Sequence, residues 1–420
     1  MSGFPTLARL WLMMLLEYAV WGAWAAVAGK YFTDPPPRGL GFEGSFSGLL
    51  FSLLPLGSIA APILIGPLAD KWIRAERLLG VLCLIGTVLL YYLSLARTEG
   101  SLLWLMLLYA LLFAPTTTLT NAIAFAHLKN APREFGLVRV GGTIGWFVAL
   151  ACLTYWRFQA GGALAGDLFR LSACFSLVLG IYALTLPATE PQHSGKSMPL
   201  LDAMSLFKDR GFRAFSASAF ILGISLDYYY IFGSAYFGAP KELGGVGVSA
   251  QSLPTLMMLP QCSEILVMVS LGASLPRLGI KRAFVIGFSA WVLRYALLTI
   301  SPSIGATSAA LLLHGLCFTF VFAVASLYVN EIAPPQIRAS AQALVTIGLF
   351  GFGRFFGSHL SGWVHNVLTQ RTSPRMVGGI SYQKVTDWTI FYSIPLACTL
   401  AALLLLLLFF REPLNSERVK

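Results

Sequence analysis

Residues 66–77 read Gly-Pro-Leu-Ala-Asp-Lys-Trp-Ile-Arg-Ala-Glu-Arg, a short charged stretch between two long apolar runs. Residues 272–282 read Gly-Ala-Ser-Leu-Pro-Arg-Leu-Gly-Ile-Lys-Arg, a degenerate copy at the matching place in the second half of the chain. The copy keeps the basic residues and lacks the aspartate. A motif that is duplicated at matching places is typical of membrane transporters built from two internally repeated halves.

The composition around these stretches is that of a membrane protein. Of the 420 residues, 57% are hydrophobic and 11% are charged, and the mean hydropathy is +0.74. A soluble domain with so few charges could not solvate its surface. The apolar runs reach the roughly 20 residues that a helix needs to cross a bilayer, and they lack the period-two alternation of a barrel. The sequence therefore predicts an all-α membrane protein.

A window of about 20 residues predicts two sets of six membrane helices. The first set lies at 7–30, 44–68, 78–97, 102–127, 138–156 and 167–186. The second set lies at 213–237, 248–273, 282–301, 303–330, 338–367 and 388–410. The most polar stretch of the chain, 188–212, is predicted to be a cytoplasmic linker that joins an amino-terminal half, 1–187, to a carboxy-terminal half, 213–420.

The basic residues predict the orientation in the membrane. The first apolar run lacks the cleavage site of a signal peptide, so we expect it to remain as the first helix. Lys and Arg are about twice as frequent on the side that holds both termini and the linker, which predicts cytoplasmic termini and an inner-membrane, multi-pass protein. The net charge of +11 then reflects topology and contact with anionic lipids. A nucleic-acid partner is not expected, because the cations form no stripe with interleaved aromatic residues.

The six cysteines all fall in predicted helices and have no CxxC spacing. We expect them to be packing residues, with neither a disulfide nor a metal site.

The stretch 66–77 resembles the charged loop of the major facilitator superfamily. The resemblance implies a gating role for Asp70, Arg74 and Arg77. A carboxylate and a cluster of cations at the cytoplasmic ends of helices can bind neighbouring helix termini and separate when two halves rock. The alternative is ordinary positive charge on the cytoplasmic side.

A set of further motifs resembles the nucleoside:proton symporter family within that superfamily. They are spread over nearly the whole chain in the family's order, at 17–24, 115–125, 139–146, 263–264, 279–281, 291–295 and 337–342. The resemblance implies proton-driven nucleoside uptake by alternating access, with the site between the halves at mid-membrane. It also implies a monomer in the lipid bilayer that has no cofactor and is not an enzyme.

Six ionisable residues lie deep inside predicted helices, where charges are costly and mark functional sites by default. They are Glu17, Arg139, Asp227, Glu264, Arg294 and Arg354. Three acids and three bases can also pair off for purely structural reasons, so structural pairing is the alternative for each of them.

The predicted substrate site combines several of these residues with aromatic and amide neighbours. Arg139, Thr143 and Trp146 recur at spacings of four and three, so they share a helix face. The family resemblance places them against the nucleoside, although Arg139 lies close enough to the cytoplasmic end to be a topology anchor.

The resemblance assigns further ligand positions in the second half. Gln261 and Glu264 lie three apart and match family ligand positions, and His314 with Phe318 matches an aromatic pair. A lone membrane histidine is otherwise most often a packing residue. Asp227 and Tyr230 occupy positions where well-known members use amide side chains. This departure leaves the identity of the solute open.

The carrier of the coupling proton is a second open point. After Phe318 the family commonly has an aspartate that is a candidate for proton handling, whereas this chain has Thr319. The remaining candidates are Glu264, Asp227 and Glu17, because burial favours the neutral form of a carboxyl group. Uncoupled transport is the alternative.

Other classes of membrane protein fit the sequence less well. An intramembrane enzyme would show a motif such as HExxH or GxSxG, and the sequence has neither. A sensor would need a soluble signalling domain, and every loop and tail is too short for one. Among transporters, a carrier of another small polar solute, such as a sugar or a drug-like amphiphile, is the alternative to a nucleoside carrier.

Overall fold

The computed structural model describes residues 3–64, 73–129, 131–190, 203–334, 337–377 and 379–411. Within these ranges the chain is mostly helical, and a helix lies at the place of each predicted membrane segment. The predicted end of the second segment, 65–68, lies outside the described residues. The first six are α1 (Phe4–Ala25, followed by the short helix Ala28–Thr33), α2 (Gly44–Leu64), α3 (Ala75–Leu95), α4 (Glu99–His127), α5 (Ala131–Gln159) and α6 (Asp167–Ala183).

The second set is less regular than the first. It comprises α7 (Arg210–Gly238), α8 (Leu259–Leu278, after the turn Leu253–Leu256), α9 (Ile280–Ile300), α10 (Ile304–Ile332), α11 (Arg338–Leu368) and α12 (Trp388–Phe409). Two of these helices contain a π-helical segment, Thr319–Ala323 in α10 and Ile347–Gly353 in α11. Such segments are rare and occur frequently at functional sites.

In the described part of the chain, ten helices are long and apolar enough to cross a membrane. Of the other two, α2 counts as a shorter apolar helix over Gly44–Ala60, and α6 has 17 residues. The structure thereby confirms the predicted all-α membrane fold. Three of these helices begin with an N-cap residue. The side-chain oxygens of Thr98, Ser303 and Asp387 each accept a hydrogen bond from a backbone N–H in the first turn of the following helix.

A β-hairpin that the sequence analysis did not predict joins α11 to α12. Its strands, β1 (Thr369–Val377) and β2 (Ile380–Thr386), pair antiparallel. At the base of the hairpin the Thr369 and Thr386 hydroxyls are 2.9 Å apart, and Thr386 also contacts His365. The hairpin is therefore tied to the end of α11, while most of its side chains are exposed.

The chain forms two compact units. One consists of Met1–Gly195 with Tyr230–Gly238 and Ser249–Met258, and the other of Lys196–Tyr229, Ala239–Val248 and Leu259–Lys420. We call them the amino-terminal and the carboxy-terminal unit. The halves and the linker deduced from the sequence remain predictions, and residues 191–202 of that linker lie outside the described ranges.

Glycines allow close helix contacts within each unit. In the amino-terminal unit, a Cβ atom at Gly141 or Gly145 would overlap the α1 backbone at Trp11 or Leu15. In the carboxy-terminal unit, a Cβ at Gly357 would overlap the backbone of α7 at Ile224. These contacts hold α5 and α11 in fixed positions against their neighbours.

Candidate solute-binding site

The predicted face of α5 meets aromatic side chains of α1. The guanidinium carbon of Arg139 lies 4.1 Å from the centre of the Tyr18 ring, and both residues are half-buried. This distance is that of a cation–π contact. Gly142 makes the contact possible, because a Cβ there would overlap Arg139 and Tyr18. Arg139 thus has an aromatic partner and no carboxylate partner in the part of the chain that the structure describes.

Trp146, two turns further along α5, packs edge-on against Trp21 with 5.3 Å between ring centres. Trp21 also lies 6.4 Å from Tyr18 and 6.3 Å from Phe113. These four rings, Tyr18, Trp21, Phe113 and Trp146, form the amino-terminal aromatic cluster. Thr143 lies between Arg139 and Trp146 on the same helix and is half-buried. Tyr18 and Trp21 are not among the residues predicted for the site, although their spacing of three on an apolar helix places them on one face.

Glu17 lies beside this cluster on α1 and is 1% exposed. The Thr116 hydroxyl of α4 is 2.7 Å from its Oε1. Its Oε2 has no hydrogen-bond partner among the described residues. Glu17 therefore differs from Asp227 and Glu264 in having no basic side chain within ion-pair distance among the described residues.

Two predicted ligands of the carboxy-terminal unit, Gln261 and Glu264, are buried on α8. Ser263 between them fixes α8 against α10, since its hydroxyl accepts the Gly315 N–H at 3.0 Å. This contact places Oε2 of Glu264 3.8 Å from Nε2 of His314. The structure brings these three predicted residues close to one another, and Oε1 of Gln261 has no hydrogen-bond partner within the described ranges.

Arg294 of α9, which is fully buried, orients His314. Its Nη1 lies 2.9 Å from Nδ1 of His314, and its guanidinium carbon lies 3.8 Å from the centre of the Tyr229 ring. An arginine is always protonated and can only donate, so Nδ1 must accept and the ring is neutral. The imidazole hydrogen is then on Nε2, which faces Glu264. We infer this tautomer from the hydrogen bonds. The sequence predicted Arg294 only as a deep charge, and Tyr229 was not among the predicted site residues.

Phe318 completes this group, since its ring centre lies 5.6 Å from that of His314. The predicted aromatic pair therefore exists. Thr319, the next residue, is fully buried and begins the π-helical segment of α10. Its hydroxyl has no hydrogen-bond partner among the residues described.

Asp227 of α7 forms a buried ion pair. Its Oδ1 accepts from Nε and Nη2 of Arg354 at 2.9 and 2.6 Å, and its Oδ2 accepts from the Ser358 hydroxyl at 2.7 Å. Both oxygens are occupied by α11. Tyr230, three residues further on, is half-buried and falls in the amino-terminal unit.

Part of the predicted gating loop lies outside the described residues, including Asp70. Arg74 makes an ion pair with Glu190 at 2.5 Å. The Thr189 N–H donates to Glu76 at 2.9 Å, so the segment that follows α6 is held against the start of α3. Arg77 is exposed.

Charged and aromatic side chains buried inside membrane helices mark pathways for solutes and ions. Both compact units bury charged and aromatic side chains in their membrane helices, and this arrangement is typical of a solute transporter. Residues 4–415 match the family described as Nucleoside H+ symporter. The chain belongs to this family, and it is a transporter and not an enzyme.

Individual relatives agree with this assignment. The chain is 31% identical to YegT of Escherichia coli over 98% of its own length and 95% of that protein. It is 28% identical to the nucleoside permease NupG of Escherichia coli, over 94% of this chain and 95% of that protein. A crystal structure of nucleoside transporter NupG superimposes with a TM-score of 0.80 at 26% identity, and covers 97% of this chain and all of that one. These matches confirm the transporter fold expected from the sequence.

Proposed function

We propose that the protein takes up nucleosides across the inner membrane together with protons. Family membership supports the reaction, and NupG, a nucleoside permease by name, is similar over nearly the whole chain. The observation that carries the proposal is the cluster of Gln261, Glu264 and His314. It presents an unsatisfied amide oxygen and a carboxylate inside the membrane, where such groups are costly unless they bind something.

The chemistry of these groups suits a nucleoside. Ribose hydroxyls can donate to the Glu264 carboxylate and to the Gln261 amide oxygen. A nucleobase has a flat face that can stack on Phe318 or on Trp146, and its carbonyl oxygens can accept from Arg139. We assign Thr143 and Tyr230 to supporting hydrogen bonds with the same solute. We assign Asp227 to holding Arg354, since both of its oxygens are already occupied.

The position in the membrane is part of the proposal. Lys and Arg are more frequent on the predicted side that holds the termini and the linker, and this supports cytoplasmic termini. The pair of Arg74 and Glu190 supports a gating role for the loop that includes Asp70 and Arg77, because a half-exposed ion pair is weak enough to open during a transport cycle. We propose that a single chain in the lipid bilayer is the working form.

Transport by purified protein in liposomes tests the proposal. Labelled uridine and adenosine are offered with and without an inward proton gradient. We expect saturable uptake of at least one nucleoside above its external concentration, and loss of this accumulation when a protonophore collapses the gradient. Uptake of both at the rate of empty liposomes would refute the proposal, and accumulation of a sugar instead would favour the alternative substrate class.

A further inference from the structure

Glu17 faces a small cavity inside the amino-terminal unit. The cavity has room for about one water molecule. Its lining includes Glu17, Cys83, Tyr109, Phe113, Thr116 and Ser176. The carboxyl group has one neighbour on Oε1, the Thr116 hydroxyl, and no hydrogen-bond partner on Oε2 among the described residues.

The contacts of the Thr116 hydroxyl are compatible with a protonated Glu17. The Thr116 hydroxyl is 2.7 Å from Oε1 of Glu17 and 2.6 Å from the carbonyl oxygen of Phe113. A hydroxyl has a single hydrogen and cannot donate fully to both acceptors. A Thr116 hydroxyl shared between the two acceptors is one way to make both contacts, and a protonated Glu17 is another. Its own O–H then donates to Thr116, and Thr116 donates to Phe113.

The surroundings of Glu17 also favour its protonated form. No lysine, arginine or histidine forms an ion pair with it in the part of the chain that the structure describes. The titratable groups that line the cavity from α3 and α4 are the Cys83 thiol and the Tyr109 phenol, and both are neutral near pH 7. On α5 the nearest predicted cation, Arg139, is engaged with the Tyr18 ring. A buried carboxylate without a counter-charge takes up a proton instead.

We propose that Glu17 is a proton-binding site of the transport cycle, and that the described structure represents its protonated state. In the step that releases the proton, the O–H bond of Glu17 breaks, the proton leaves on a water molecule that enters the cavity, and a carboxylate remains. Glu264 differs, since His314 faces it at 3.8 Å, and Asp227 differs because it is ion-paired with Arg354. The inference rests on the proposed proton-coupled uptake.

The first experiment compares two modes of transport in liposomes. Glu17→Gln keeps the shape and the contact with Thr116 but cannot release a proton. We expect this variant to exchange labelled uridine for internal uridine as the parent does, and to lose accumulation under an inward proton gradient. Glu99→Gln, the same substitution at an exposed acid of the same unit, should accumulate like the parent. Accumulation by Glu17→Gln at the level of the parent would overturn the inference.

A second measurement does not depend on transport and separates this inference from the proposed function. The infrared difference spectrum of the purified parent between acid and alkaline pH should contain a band of a protonated carboxyl that is absent from Glu17→Gln and present in Glu99→Gln. If the parent has this band but shows no proton-driven uptake, the proposed function is refuted, whereas proton binding by Glu17 is confirmed. If the same band persists in Glu17→Gln, Glu17 is not the group that binds the proton, and the inference is refuted.

Thr116→Val covers the case in which Glu17→Gln does not fold. It keeps the acid and removes the hydroxyl that contacts it. The hydroxyl contacts both forms of Glu17, but its hydrogen bond to the charged carboxylate is the stronger one, so its loss should move the midpoint of the infrared pH titration to higher pH. An unchanged midpoint would show that Glu17 is not the titrating group.

Discussion

Two side chains that lie two residues apart on α8 use their polar atoms differently. Ser263 uses its hydroxyl to hold α10, whereas Gln261 buries an amide oxygen that has no donor among the described residues. A buried acceptor without a hydrogen-bond donor is destabilising, so the Gln261 amide contributes nothing to the stability of α8. This observation supports the proposal that the Gln261 amide binds the solute.

Removing the proposed ligand groups should weaken binding without unfolding the protein. Gln261→Ala and Trp146→Ala should each reduce the free energy of nucleoside binding by about 1 to 3 kcal/mol. Equilibrium binding of labelled uridine to purified protein measures the effect. Trp104→Ala is the matched control for Trp146→Ala, because Trp104 is 65% exposed on α4. Parental affinity in both site variants would place the nucleoside elsewhere.

Glu264→Gln separates binding from coupling. If Glu264 bore the coupling proton, this variant would exchange nucleoside but would not concentrate it. Since we assign the proton to Glu17, we expect Glu264→Gln to bind uridine more weakly and still to accumulate it under a proton gradient at saturating substrate. Loss of accumulation with intact exchange would return the coupling role to Glu264.

The ion pair of Asp227 and Arg354 should matter for stability. Asp227→Asn leaves a buried guanidinium without its counter-charge, and we expect a loss of about 3 to 5 kcal/mol in the free energy of unfolding. Ser358→Ala removes one hydrogen bond to the same carboxylate and should cost about 1 kcal/mol. Thermal unfolding in detergent measures both. Equal stability of the parent and Asp227→Asn would show that the pair is not structural, and would make Asp227 available as a ligand.

At the scale of helices, the contact of α1 with α5 depends on Gly145. A methyl group there would overlap the Leu15 backbone, so Gly145→Ala should destabilise the protein by about 1 to 3 kcal/mol. Gly136→Ala is the control on the same helix, since a methyl group there has open space around it. That substitution should be neutral or stabilise the helix by up to about 1 kcal/mol. Similar unfolding temperatures for the two variants would contradict the role of Gly145.

The helices could be predicted from the sequence because a membrane-spanning helix satisfies its own backbone hydrogen bonds, so length and hydropathy are enough to locate it. The hairpin of β1 and β2 could not be predicted from hydropathy, because its strands are not apolar runs. Its signal was present, since Gly378-Gly379 separates two stretches with Thr, Val, Ile and Tyr. The π-helical segments of α10 and α11 have no comparable local pattern.

The sequence indicated which residues are candidates for the site, but not which side chains contact one another. The spacing of Arg139 and Trp146 was enough to place both on one face of α5. The partner of each deep charge depended on which helices pack together, and no local pattern shows that. Arg354 therefore emerged as the partner of Asp227, and Arg294 as the partner of His314, only from the tertiary structure.

At the scale of the whole molecule, the distribution of basic residues predicts the topology. A reporter fused after Lys420 or inserted near Lys196 should report the cytoplasm, and one near Lys241 should report the outside. The physical reason is that short loops rich in Lys and Arg are retained on the cytoplasmic side. Paired reporters that are active on opposite sides of the membrane measure this in whole cells. The reversed pattern would refute the proposed orientation.

The hairpin between α11 and α12 offers a folded epitope. It is anchored at its base through Thr369 and Thr386, it exposes most of its side chains, and Arg371, Arg375 and Lys384 give it a distinctive charge. An antibody fragment that recognises a folded hairpin binds without ordering a flexible loop first, and so avoids that entropic cost. With the proposed orientation this epitope faces the periplasm. A fragment raised against it would add a rigid mass to a protein that otherwise offers few polar surfaces for particle alignment or crystal contacts.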